Sequence, residues 1–288
     1  MPMSAAEPAV LLQAARGGEQ RALARLLSLV ERGDEEAIAV ARGAPSHPTA
    51  WVVGLTGAPG AGKSTLAAAL VGFLRRAGDP VAVLAVDPSS PISGGALLGD
   101  RVRMQAWATD PRVFVRSLAS RGTPGGLSPA VPDAVRLLAA AGWPWVLVET
   151  VGVGQGEVDV AAVADTTVVL VAPGWGDDVQ AEKAGLLEVA DVFVVNKADQ
   201  PGAGEARAHL EGMVALAPAL RGPKAVAPGL RGPNAVVAEG WRPPVVEATA
   251  TTGAGVEELW SAVGRHREWL AAGGQRPSTP RASPQIWQ

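Results

Sequence analysis

The chain has no cysteine, so disulfides are excluded, and it has only three histidines, His47, His209 and His266, scattered along the sequence. That leaves no Cys/His cluster of the kind a soft-metal site needs. Lysine and asparagine are also scarce. Of 25 basic residues only Lys63, Lys183, Lys197 and Lys224 are lysines, and Asn196 and Asn234 are the only asparagines. No long basic run accompanies the net charge of −3, which argues against a nucleic-acid partner. No apolar stretch reaches about 18 residues, so no transmembrane helix is expected. The first residues carry glutamates and lack a basic start followed by an apolar core, so neither a secretory signal nor a transit peptide is expected. These absences together point to a cytoplasmic protein that acts away from membranes.

What is present is an apolar-rich chain of 288 residues, 48% hydrophobic, long enough for one α/β domain with extensions. Residues 9–42 read as helical, because Leu23, Leu26, Leu27 and Val30 share one helical face. Apolar strands follow at Trp51–Thr56, Val81–Val86, Val113–Val115, Trp145–Val148, Thr167–Val171, Val192–Val195 and Val245–Ala248. Helical segments lie between them at 63–77, 131–141, 178–190, 204–217 and 255–271. Such alternation predicts a mainly parallel central sheet flanked by helices. The expected organisation is an N-terminal helical extension over 1–48, a P-loop nucleotide domain over 49–272 and a flexible tail over 273–288. A Gly/Pro-rich duplication begins at Leu220 and recurs at Leu230, and it reads as a mobile surface loop.

The strongest motif is GAPGAGKS, Gly57 to Ser64, which fits G-x-x-x-x-G-K-[ST] between a strand and a helix. Glycines at 57, 60 and 62 let backbone N–H groups of the loop, including those of Ala58, Pro59's neighbours and Ala61, converge on an anion at a helix N-terminus. Lys63 suits the β- and γ-phosphates, and Ser64 suits Mg²⁺. A second motif, Asn196-Lys197-Ala198-Asp199, follows a buried strand. An aspartate there can accept from guanine N1–H and the exocyclic amine, a pair that adenine cannot supply. Asn196 suits the guanine edge, and the Lys197 stem one face of the base. A chain that uses Arg almost everywhere places Lys in both motifs, where a compact ammonium is needed. The two motifs point to GTP.

Carboxylates at other strand ends are candidates for Mg²⁺: Asp87, Glu149 in Glu149-Thr150-Val151-Gly152, and Asp100, which could equally cap a helix. Gly152, Gly154 and Gly156 surround Gln155 in a loop flexible enough to sense a γ-phosphate. The stretch 174–183, with Asp177 and Asp178, reads as a further switch.

Taken together, GAPGAGKST, VAVLAVDPSSPISGG, GDRVRM, RSLASRGTPGG, ETVGVGQGE, PGWGDDVQAEKAG and NKAD resemble the MeaB/ArgK-type P-loop GTPases over about residues 15–270. The resemblance implies a dimerising, Mg²⁺-dependent GTPase of the SIMIBI class. Members assist adenosylcobalamin-dependent acyl-CoA mutases, typically methylmalonyl-CoA mutase, by gating cofactor loading and protecting the mutase. An older family label implies instead an ATPase or kinase of lysine/arginine/ornithine transport. By position, the resemblance assigns Gly60, Gly62, Lys63, Ser64 and Thr65 to phosphates, and Asp87, Asp100 and Glu149 to the magnesium region. It assigns Asn196, Lys197 and Asp199 to guanine, with Thr249-Ala250-Thr251 as a further base contact. Lys63, Asp100, Glu149 and Gln155 are the residues expected to support hydrolysis.

Overall fold

A computed structural model of the chain describes residues 6–44, 50–87, 104–107, 109–119, 127–150, 156–174, 187–216 and 240–274. Seven strands form one sheet in the order β3-β2-β4-β1-β5-β6-β7, and every neighbouring pair is parallel. They are β1 Trp51–Gly57, β2 Val81–Asp87, β3 Val113–Ala119, β4 Trp145–Thr150, β5 Thr166–Val171, β6 Val192–Asn196 and β7 Val245–Ala248. Because the sheet is parallel, all seven C-terminal strand ends share one edge. The chain runs from β1 outwards to β2 and β3, returns to β4, then crosses to β5, β6 and β7. The point where direction reverses lies at β1, where such sheets bind ligands.

The helices are α1 Ala6–Arg16, α2 Gln20–Glu31, α3 Glu35–Gly43, α4 Lys63–Arg76, α5 Val131–Ala140, α6 Gly156–Val163, α7 Ala203–Leu216 and α8 Val256–Ala271. Alternation along each strand sorts side chains onto two faces. Val53 and Leu55 of β1, Val168 and Leu170 of β5, and Val192 and Val194 of β6 bury against Leu66, Leu70 and Leu74 of α4 and Leu259 and Val263 of α8. The intervening residues Val169, Val171, Phe193 and Val195 bury against Ala161 of α6 and Ala203, Ala206 and Leu210 of α7.

The expected helical stretch 9–42 is three helices. The chain turns at Gly18 and Gly33, both with left-handed backbones (φ 94° and 82°), and Asp34 caps α3 by accepting from the Ala37 N–H. Leu23, Leu26, Leu27 and Val30 do form the buried face of α2, in one core with Phe114, Leu118, Leu137 and Val148. Strand β3 runs to Ala119, beyond the apolar run Val113–Val115. Arg116 is accommodated in it because its guanidinium donates to Glu31 at the end of α2 (2.7 Å) and to Ser28 (3.0 Å). Helix α6 was not expected: its sequence opens on glycine, which masks the helix that follows.

Candidate functional site

The phosphate loop occupies the C-terminal end of β1. Gly57 has φ 133° and sits so close to the Leu170 carbonyl of β5 that any Cβ would overlap it. Gly62 (φ 94°) is the N-cap of α4, and a Cβ there would run into the Asn196 carboxamide. Both positions therefore need glycine for space as well as for conformation. Pro59 and Gly60 lie exposed at the loop's rim, with Gly60 at φ 75°. The Lys63 ammonium is buried and donates to the carbonyls of Gly57 (2.8 Å) and Ala58 (3.0 Å), which folds its side chain back over the loop. Ser64, also buried, donates its hydroxyl to Glu149 of β4. Thr65 follows, half-buried, in the first turn of α4.

Parallel pairing explains how Ser64 and Glu149 meet. Leu55 of β1 is in register with Glu149, so the end of β4 comes up beside the loop. The hydroxyl of the next residue, Thr150, lies within hydrogen-bond reach of Leu55 O and Thr56 Oγ1 (3.4 and 3.2 Å), which ties the two strand ends together. A hydroxyl and a carboxylate in contact form a hard-oxygen donor set. It fits Mg²⁺, which takes its remaining ligands from phosphate oxygens and water. Among the described residues no three of His, Asp and Glu converge as a self-sufficient metal cluster. Asp87 closes β2 on the same edge of the sheet. Asp100, Gly152 and Gln155 lie outside the described residues, as do Asp177, Asp178, most of 178–190 and the duplication.

The second motif is joined to the first. Asn196, 2% exposed at the end of β6, donates Nδ2–H to Ala61 O of the phosphate loop (2.7 Å). Its Oδ1 accepts from Ala250 N (3.1 Å), in the loop after β7. The asparagine thus spends one N–H and one lone pair on the protein, a bridging role that sequence reading missed. Lys197 has φ 58°, the left-handed conformation rare for residues with a Cβ, and no other non-glycine residue among those described adopts it. The turn is pinned by Ala198 N–H to Ala248 O (3.1 Å) and Gln200 N–H to Lys197 O (2.9 Å). It leaves Asp199 exposed. Thr249 and Ala250 are buried beside the motif and Thr251 is exposed. Strained backbone held by tertiary contacts is a frequent mark of a ligand site.

A sequence model of the family "Methylmalonyl Co-A mutase-associated GTPase MeaB" matches residues 23–288. The chain belongs to this MeaB family. A putative GTPase of Pyrococcus abyssi is 48% identical over 266 residues, 92% of this chain and 78% of that protein. The mitochondrial methylmalonic aciduria type A homolog of Mus musculus is 35% identical over 240 residues, 83% of this chain and 54% of that protein. A solved structure, described as a LAO/AO transport system kinase, superposes with a TM-score of 0.70 at 29% identity, covering 95% of this chain and 79% of that one. The protein is thus a GTP hydrolase on a P-loop α/β fold, and it binds guanine nucleotide. No helix among the described residues is long and apolar enough to cross a membrane.

One cluster was not legible in the sequence. His266 of α8, fully buried, contacts Thr166 Oγ1 through Nδ1 (2.9 Å) and lies 3.4 Å from Asp191 through Nε2. Trp51 Nε1–H donates to the same threonine (3.0 Å), and Trp241 Nε1–H to Asp191 O (2.7 Å). These groups gather where β1, β5 and β6 begin, at the opposite edge of the sheet from the phosphate loop. Their geometry secures α8 to the sheet.

Proposed function

We infer that the protein is a Mg²⁺-dependent GTPase that serves as a chaperone of an adenosylcobalamin-dependent acyl-CoA mutase, methylmalonyl-CoA mutase being the first candidate, and that it works as a homodimer. The observation that carries the nucleotide part is the Asn196 bridge. Its bonds to Ala61 and Ala250 tie the phosphate loop to the base motif, which supports reading the two as parts of one nucleotide site. In this reading Lys63 leaves the loop carbonyls for the β- and γ-phosphates. Backbone N–H groups at 60–65 hold phosphate oxygens at the helix N-terminus, with Gly152 beside the γ-phosphate. Asp199 accepts from the guanine edge and the Lys197 stem covers the ring. Ser64, Glu149, Asp87 and Asp100 would hold Mg²⁺, which when bound neutralises charge on the phosphates. Gln155 orients the attacking water.

The mutase part is supported by the family's description and by the mouse relative's name. The competing transport-kinase reading is supported by the description of the solved relative, but it leaves a guanine-selective aspartate without purpose. The test is GTP hydrolysis with and without purified methylmalonyl-CoA mutase, with ATP as competitor. Stimulation by the mutase and indifference to ATP are expected. Efficient ATP turnover, unchanged by the mutase, would favour the transport reading.

A further inference from the structure

A cavity of about 980 Å³ lies away from the phosphate loop, between α2, α3, the start of α5 and α6. That volume is at the upper end for small-molecule sites, about 300–1,000 Å³. Val30, Ile38, Leu127 and Val163 contribute its apolar walls. Three arginines, Arg32, Arg42 and Arg136, and three carboxylates, Glu31, Asp133 and Asp159, lie on its lining. Glu31 is taken up by Arg116, and Asp159 accepts from the Leu127 N–H (3.2 Å). Arg136 and Arg42 share the buried carboxylate of Asp133, at 2.8 and 3.6 Å. Arg32, also on the lining, has no side-chain hydrogen bond or ion pair among the described residues.

Helix α6 touches both this cavity and β1, the strand that leads into the phosphate loop. Asp159, Ala162 and Val163 line the cavity. On the other side, Val160 and Ala164, just past the helix, press on Gly54 of β1 so tightly that a Cβ there would lie 2.7 Å from Val160 Cγ2 and 3.0 Å from Ala164 Cβ. Gly54 is on the strand that carries the phosphate loop. A body that moves α6 on one side therefore has little slack before it moves β1 on the other.

We propose that this cavity binds an anionic amphiphile, an apolar body of small-ligand size bearing a carboxylate, and that its occupancy is felt at the phosphate loop through α6. Apolar walls supply affinity, and the exposed Arg32, which has no carboxylate partner among the described residues because Glu31 is held by Arg116, supplies the preference for an anion. The coupling half rests on the nucleotide reading above; the binding half does not.

The test uses the full chain, with 8-anilinonaphthalene-1-sulfonate as fluorescent probe and octanoate, octylamine and octanol as competitors. Octanoate should displace the probe and octylamine should not. Ala162→Trp, which fills the cavity from an exposed position, should weaken probe binding about tenfold, and Arg32→Ala should weaken octanoate but not octanol by about threefold. Octanoate should change the release rate of a fluorescent GDP analogue about twofold in the wild type and leave it unchanged in Ala162→Trp. Displacement by octylamine as readily as by octanoate overturns the proposal. So does undiminished binding in both variants at matched circular dichroism, or GDP release unaffected by saturating octanoate. Failure to bind the GDP analogue at all would overturn the nucleotide reading, and the probe titration would still decide the binding half.

Discussion

Gly54→Ala isolates the contact that locks α6 to β1. The added methyl would stand 2.7 Å from Val160 Cγ2 and 3.0 Å from Ala164 Cβ, well inside the carbon–carbon optimum of about 3.5–4.0 Å. Val160 is fully buried and Gly54 lies mid-strand between β4 and β5, so neither side has room to yield. Overpacking of this kind costs about 1–3 kcal/mol. Val160→Ala alone removes two methyl groups, a loss of about 1.6 kcal/mol at roughly 0.8 per buried carbon. In the double variant the space vacated by valine receives the new methyl. The double variant should therefore be more stable than the sum of the single losses by about 1 kcal/mol or more. Urea denaturation of the four proteins measures this cycle. The Gly54→Ala variant should also bind GDP more weakly, because β1 carries the phosphate loop. Strictly additive losses would refute the tight-contact reasoning, as would a Gly54→Ala variant as stable as the wild type.

Other expectations follow from the site and one surface pair. Lys63→Ala should abolish measurable GTP hydrolysis with the fold intact by circular dichroism, and Glu149→Ala should lower the rate and shift its Mg²⁺ dependence; wild-type turnover in Lys63→Ala would contradict the phosphate role. Asp199→Asn should weaken GTP by about tenfold, or 1.4 kcal/mol, and improve xanthosine nucleotides relative to it, as read by competitive titration. Asp110 titrates below its ordinary 3.8, first because Arg75 hydrogen-bonds its carboxylate and then because the Arg112 N–H does. A depressed carboxylate contributes stability above its unfolded pKa and loses it as pH falls through the folded value. Arg75→Ala should therefore raise the Asp110 pKa in an NMR titration, and its stability deficit should shrink below about pH 4.

Much of this architecture was legible because it rests on local pattern. Apolar runs marked all seven strands, and the Gly-rich motif marked the loop where β1 meets α4. Legibility failed where a partner far along the chain changes the meaning of a residue. Arg116 and Ser117 look like the end of β3, yet Glu31, in a helix that precedes β1, neutralises the arginine and lets the strand continue. Gly156 reads as loop, yet it begins a helix whose burial against Gly54 outweighs its poor propensity. Asn196 reads as a base contact, while its bonds to Ala61 and Ala250 depend on neighbours 135 and 54 positions away. The His266–Asp191–Thr166 group had no sequence signature, since its members meet only once α8 lies across the sheet.

The proposed function requires that guanine nucleotide control an association with a mutase. Calorimetric titration of methylmalonyl-CoA mutase into the protein loaded with GDP, and again with a non-hydrolysable GTP analogue, tests it most directly. Dissociation constants that differ by about 5–150-fold are expected, the range of coupling free energies of about 1–3 kcal/mol. Asp177→Ala/Asp178→Ala should keep GTP binding and lose that difference. Equal affinity in the two nucleotide states, or no association in either, would contradict it.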